Sequence, residues 1–414
     1  MSLAFVGLVS FFLFVYFEPY LLLPPLEGIR AALMVAVLTL IFAIRAGARL
    51  PRAPQSWIFI LILFIAVLAS LTSPLPYDDH VQEIVTRLAK SVALYFLVSM
   101  IVSSRHYLMR FVNVTMVLAF SVSIVSLLTV RAGIASLKGG NLYRMVNYFG
   151  GLGDDANEFA VFMLAFFPVP IAMMEREKSL LKKAVHGGIA LSFLLSITRS
   201  RSRGAFVALL VVLAIMLWEY RKKGAAALAL TGIIAFAFIH THSGYWERLS
   251  TLSAPGEDDS GHDRLLQMRY AAQLMSRFPL TGVGPGNFVR AKKVDLGLDP
   301  DTKATNHVAH NAYLGLGVEI GIIGMILFIA ALGISIRHCY ASERFFRTRE
   351  DLLILHAIAK GVRLGLIGVA VSIFFLSEQY NPLLYQWVAC TIALREIAKA
   401  QAGLGREIAQ PITS

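Results

Sequence analysis

Apolar residues run along this chain in long blocks from Ser2 to Leu394, broken by short polar junctions. A helix needs about 20 residues to cross the hydrocarbon core of a bilayer. Twelve blocks approach or reach that length, at roughly 2–23, 28–45, 56–73, 88–103, 108–130, 157–174, 184–198, 204–219, 224–240, 310–336, 352–376 and 380–398. The pattern predicts an all-α fold, a polytopic membrane bundle of about 12 transmembrane helices. One polar stretch, 241–309, is too long to be an ordinary connection. It reads as helical around Arg264–Phe278, because Leu265, Met268, Ala272 and Met275 recur at helical spacing, and Pro279 with the Gly282–Gly286 run then ends the helix. The chain therefore divides into helices one to nine over 1–240, a long, partly helical outer loop over 241–309, helices ten to twelve over 310–398, and a tail over 399–414.

Composition agrees with that reading. Hydrophobic residues make up 57% of the 414 positions and charged residues 15%, and the mean hydropathy is +0.66. A water-soluble enzyme, a disordered adaptor and a single-anchor receptor are all excluded. The net charge of +12 would suggest nucleic acid in a soluble protein, but here its placement matters more. Basic residues gather at every second junction: Arg45, Arg49 and Arg52; Arg105 and Arg110; Arg176, Lys178, Lys182 and Lys183; Arg221, Lys222 and Lys223; Arg337, Arg344, Arg347 and Arg349; and Arg395, Lys399 and Arg406 in the tail. By the positive-inside rule these junctions face the cytoplasm, which puts both termini inside and implies an even number of spans, with no role for nucleic acid. The first block lacks a basic leading region and a small-residue cleavage site, so it reads as a retained span. Cys339 and Cys390 are far apart and imply neither a disulfide framework nor a metal site.

The opposite side then receives the polar groups that need no topological anchor. Arg199, Arg201 and Arg203 crowd a very short link between two blocks. A topology anchor is the plain reading, but parity argues against it, since the junctions before and after are already inside. A cationic cluster on the outer side suits a phosphate, which arginine grips through planar, charge-assisted bonds. Arg199 and Arg203 would share a face if the link stayed helical, and Arg203 opens the next helix, where free N–H groups favour an anion. His310 and Asn311 stand where the long loop re-enters the membrane. The positive end of a helix dipole disfavours imidazolium, so His310 can serve as a general base, or it can simply sit at the helix start. His307 and His310 lack a third ligand at convincing spacing, so a zinc site is a weak reading. Arg264 opens the loop helix without a periodic reason. Asp154, Asp155 and Asn157 open the sixth block, where they cap a helix or, as the sharper alternative, either aspartate serves as a substitute base. Glu319 lies nine residues beyond His310 and needs a partner or a polar cavity at that depth.

The order of these features resembles the bacterial O-antigen ligase and O-antigen polymerase superfamily. The resemblance rests on Ser202-Arg203-Gly204-Ala205 opening a span, Arg264 in a long outer loop, the segment Phe278-Pro-Leu-Thr-Gly-Val-Gly-Pro-Gly-Asn-Phe288, and His310-Asn-Ala-Tyr-Leu followed by Glu319-Ile-Gly-Ile-Ile-Gly; it covers roughly 141–335 and extends to the segment around Asp155-Ala-Asn157. It implies a multi-span membrane glycosyltransferase, type C-like, that works without a metal or other cofactor at the periplasmic face of the bacterial inner membrane. The donor would be an undecaprenyl-pyrophosphate-linked glycan, and the acceptor a lipid A–core sugar, a second lipid-linked repeat unit or a protein hydroxyl. By the same resemblance, Arg203 and Arg264 would hold the pyrophosphate and His310 would activate the acceptor hydroxyl. Arg199, Arg201, Asn311, Tyr313, Asn157 and Asp155 are the further substrate-binding candidates. Two rivals remain from other classes, a lipid-linked sugar transporter and an envelope scaffold. A transporter should carry midplane charges and two similar halves, whereas in this sequence the charges gather at the outer boundary and only the second half bears a long loop, which favours an enzyme.

Overall fold

The computed structural model describes residues 1–19, 30–75, 78–131, 145–149, 152–153, 155–219, 260–299 and 307–409. Among them the regular structure is all helical: α1 (Ser2–Phe17), α2 (Ala31–Arg45), α3 (Pro54–Thr72), α4 (Asp79–Ile101), α5 (Arg105–Arg131), α6 (Ala156–Phe166), α7 (Pro168–Arg176), α8 (Leu180–Ser200), α9 (Arg203–Glu219), α10 (Ser260–Arg277), α11 (Phe288–Asp295), α12 (Ala312–Arg347), α13 (Leu353–Ser372) and α14 (Pro382–Ala409). Seven segments are long and apolar enough to cross a membrane: Pro54–Thr72, Asp79–Ile101, Arg105–Thr129, Ala156–Arg176, Leu180–Ser200, Ala312–Arg347 and Glu350–Ser372. α1 and α2 are apolar and shorter. The ninth block, 224–240, and most of the polar stretch up to Asp259 lie outside the described residues, as do Asp154 and Arg221–Lys223. The chain is thus a polytopic helical membrane protein.

Helix starts follow local chemistry. Asp78 accepts from the Val81 N–H at 3.0 Å, Asp155 accepts from Asn157 and Glu158, and Asn311 accepts from Tyr313 and Leu314. Pro54 and Pro168 stand in first turns, where the missing N–H costs nothing.

Helix α13 is the hub, packed against α6, α7, α9, α12 and α14. One glycine face makes this close approach possible. A Cβ at Gly365 would stand 2.1 Å from the Ala165 carbonyl oxygen, and one at Gly361 would stand 2.7 Å from the Val169 Cα, the small-residue contact that lets membrane helices touch backbone to backbone. Tyr16, Phe162, Phe166 and Trp387 interlock edge to face beside it.

At one end of the bundle the same helix carries buried cations, contrary to the expectation that charge would gather only at the outer boundary. Lys360 Nζ contacts both Glu175 carboxylate oxygens at 3.0 and 2.8 Å, and Arg363 bridges Glu343 at 2.7 Å and Glu219 at 2.8 Å. The His356 ring pairs with the Glu343 carbonyl, Gln55 at the start of α3 reaches Ser335 and His338, and Arg349 reaches the Gln401 carbonyl. The ends of α7, α9 and α12 and the starts of α3 and α13 therefore share one face of the bundle, close to most of the basic junctions. The cations are matched by carboxylates, so they tie helices together rather than line a path.

Candidate functional site

The opposite end is organised around a break in α12. Ile320 and Gly321 leave helical geometry, Gly321 at φ +81, so carbonyls just before the break lose their partners within the helix. The segment Pro279–Asn287 fills the gap. Val283 N–H donates to the Val318 carbonyl at 2.8 Å, Gly284 N–H donates to Glu319 at 2.9 Å, and Ile322 N–H donates back to Pro279 at 2.8 Å. Bare backbone is essential to this fit: a Cβ at Gly321 would stand 2.2 Å from the Leu280 carbonyl oxygen, and one at Gly282 would stand 2.5 Å from the Glu319 backbone. The glycine-rich segment is thus a strap hydrogen-bonded into a broken transmembrane helix, the membrane-protein way of keeping irregular backbone satisfied.

The strap fixes the elements on either side of it. α10 agrees with the helix expected around Arg264–Phe278; its Ala271 and Leu274 pack with Val283, Phe288, Ala291, Ala309 and Val318 in a second, smaller core. Helix α11, which the sequence reading did not anticipate, sends Lys292 Nζ to Gln267 Oε1 at 2.7 Å and to the His307 carbonyl at 3.0 Å. The residues leading into His310 are therefore tied to the face of α10 that carries Gln267, one turn beyond Arg264.

The arginine link is not a continuous helix, so the face-sharing argument for Arg199 and Arg203 does not hold. α8 ends at Ser200, Arg201 adopts a left-handed conformation at φ 56, and Ser202 Oγ accepts from the Ala205 N–H at the start of α9. Arg199 is exposed, while Arg201 and Arg203 are half-buried. The link docks on the end of α13, since a Cβ at Gly204 would stand 2.7 Å from the Phe375 Cβ. The histidine turn docks there too: Ala312 N–H donates to Ile373 at 2.9 Å, and Tyr313 Oη–H donates to Ala370 at 2.7 Å. His310 is half-buried and left-handed at φ 49. The structure thus brings the Arg199–Arg203 link and the His310–Tyr313 turn to one end of α13, with α10 and its half-buried Arg264 packed on α12. Asp155 is exposed and caps α6, as does Asn311 for α12.

Beside the break opens a cavity of about 1000 Å³, with walls from α1, α4, α6, α11 and α12 and from Ser377–Pro382. Val308, Ala309 and Gly315, flanking His310 in the chain, line it; none of the nine candidate residues does. Sequence reasoning missed most of this lining. The signals were Glu319, which at its depth asked for a partner or a polar cavity, and the polar run around Ser377-Glu-Gln379 between two apolar blocks. On its rim Asp78 pairs with Arg290. Burial pushes the Asp78 carboxyl up, but the Val81 N–H and the Arg290 guanidinium outweigh it and hold the group below the usual carboxylate range. Among the described residues no three His, Cys, Asp or Glu side chains gather as a metal-ligand cluster.

A comparison with curated proteins gives no match. The family model described as O-antigen ligase matches residues 188–329, a stretch that contains the arginine link, Arg264, the glycine strap, His310 and the α12 break. Over residues 188–329, about a third of its length, the chain is therefore similar to the O-antigen ligase family.

Proposed function

We propose that the protein is an inverting, metal-independent glycosyltransferase of O-antigen ligase type, with twelve spans, both termini cytoplasmic, and its site on the periplasmic face of the bacterial inner membrane. The glycan comes from undecaprenyl pyrophosphate and goes to an acceptor hydroxyl. What carries this reading is the docking of the arginine link and the histidine turn on the same end of α13, within a segment that matches the ligase family.

The acceptor oxygen attacks the anomeric carbon as His310 takes its proton, the bond from that carbon to the diphosphate oxygen breaks, and undecaprenyl pyrophosphate leaves with inversion. Charge grows on the leaving diphosphate, so Arg203 and Arg264 stabilise the transition state more than the ground state. Arg201 and Arg199 extend the cationic surface, while Asn311, Tyr313, Asn157 and Asp155 shape its surroundings. The carboxylate partners of Lys360 and Arg363 weaken the support for a transporter. A polymerase would use the same chemistry with a second lipid-linked unit as acceptor.

Reconstitution with an undecaprenyl-linked glycan and three acceptors, lipid A–core, a second lipid-linked unit and a peptide, tests the proposal. His310→Ala is expected to abolish transfer yet keep donor binding. Arg203→Ala and Arg264→Ala are expected to weaken donor binding and turnover, with Lys only partly restoring them because it lacks the bidentate fork. Full activity of all three alanine variants, or revival of chelated enzyme by a divalent ion, overturns the mechanism.

A further inference from the structure

The break at Ile320 and Gly321 leaves Ala312–Glu319 as a half-helix of about two turns, so the rest of α12 does not dictate where it points. Its position, and with it that of the histidine turn at its start, depends on what holds its two ends. α13 holds the first through Ile373 and Ala370. Glu319 holds the second twice over. Its carbonyl accepts from the Gly284 N–H at 2.9 Å. Its side chain belongs to a residue only 6% exposed and accepts from the Gly286 N–H, two residues further along the strap, and from Tyr380 Oη–H, while Gln379 Nε2 approaches the same carboxylate at 3.5 Å.

These donors are themselves fixed. The Tyr380 carbonyl accepts from Ser91 Oγ of α4 at 2.8 Å, and the Gln379 carbonyl accepts from Tyr385 Oη of α14 at 3.3 Å. The Gln379 amide also lies along the half-helix: a Cβ at Gly315, one turn before Glu319, would stand 3.3 Å from its Nε2 and 3.8 Å from the Ala309 Cβ. Strap, α4 and α14 thus converge on one buried carboxylate, a group that only accepts when ionised and so answers every one of these donors. A buried acid is a costly way to join membrane helices if cohesion is all that is needed. What it adds is direction, because hydrogen bonds fix angle and register more tightly than apolar packing. A general base must lie within hydrogen-bond reach of the hydroxyl it deprotonates, and an error of about 1 Å in such a placement costs about a hundredfold in rate. We propose that Glu319 is a positioning residue: its carboxylate latches the half-helix to the strap and to the Gln379–Tyr380 segment, and so fixes the place of His310. The latch stands on these contacts alone; its bearing on turnover rests on the transferase reading.

Two measurements keep those separate. Hydrogen–deuterium exchange on the purified full-length protein reads the latch, and transfer from an undecaprenyl-linked glycan to lipid A–core, a second lipid-linked unit or a peptide, assayed beside donor affinity, reads its consequence. Glu319→Gln keeps the shape but turns an amide N–H2 toward donors. Exchange is then expected to speed up in peptides covering 279–287 and 310–319 and to stay unchanged in α5. kcat per donor-binding site is expected to fall about 10- to 100-fold, with donor Kd and acceptor KM unmoved. Glu319→Asp, which keeps the charge one methylene short, is expected to recover part of that loss. A simple loss of folded protein would lower the number of donor-binding sites and not the turnover of each. Tyr380→Phe removes one donor and keeps the ring; it is expected to lower kcat several-fold, and it decides if the Glu319 variants fail to fold. Unchanged exchange in both segments overturns the proposal, as does faster exchange with unchanged kcat, or a loss that falls on donor Kd. Faster exchange in the variants of a protein that transfers to none of the three acceptors would leave the latch standing and remove the transferase reading.

Discussion

Gly321 shows how much can depend on one residue. It sits at φ +81 with the Leu280 carbonyl oxygen where a side chain would begin. Gly321→Ala must both strain the backbone and push the strap out of the break, so it is expected to cost about 3 kcal/mol or more, read as a fall in Tm of the purified protein in detergent. Asp78 offers a titration. Its folded-state pKa is depressed, so its contribution to stability is full above the ordinary carboxylate value of about 4 and is lost as pH falls through the lower folded value. The Tm gap between wild type and Asp78→Asn should be widest near neutrality and close progressively in acid; a gap independent of pH would contradict the pairing with Arg290. Single residues differ in how far the sequence marks them out. Arg203, Arg264 and His310 stand out because they are polar where topology asks for nothing. Most of the cavity lining was illegible, because its walls come from distant parts of the chain.

Among the elements, the apolar blocks translate well into helices: length and composition locate α3, α5 and α8 within a few residues, while α4 begins well before its block and α12 runs well beyond its own, since a bilayer-spanning segment must satisfy its backbone internally. The α12 break was not legible, although Pro279 and the glycine run were correctly read as ending α10. A Gly inside an apolar run is ordinary in membrane helices, and only the strap from another part of the chain turns this one into a break. α13 was legible only as a span. Its Lys360 and Arg363 fall inside the eleventh apolar block and carry no signal of their own there, yet Arg363 is 4% exposed and held by two carboxylates. Removing the cation strands buried acid: Arg363→Ala is expected to destabilise the bundle by about 3–5 kcal/mol, measured by thermal unfolding. A much smaller loss would mean that water screens the network.

For the whole molecule, the structure has two chemically distinct ends, one with the cavity and strap, the other with the ion pairs and most basic junctions. If the basic end faces the cytoplasm, a cysteine introduced at Arg277 should react with an impermeant maleimide added to intact spheroplasts, and one at Lys178 should react only after the membrane is opened. Both are exposed, and the native Cys339 and Cys390 are buried. Reversed labelling would invert the topology and the proposed site with it. The pairing of α13 also has a consequence for how the protein is made. Glu175, Glu219 and Glu343 all precede Lys360 and Arg363 in the chain, so during synthesis every acceptor of charge is already in place when the two cations leave the ribosome. A segment bearing two cations is a poor passenger for the insertion machinery by itself, and here it arrives to waiting counter-ions, which makes its entry into the membrane a docking event rather than a solitary partition.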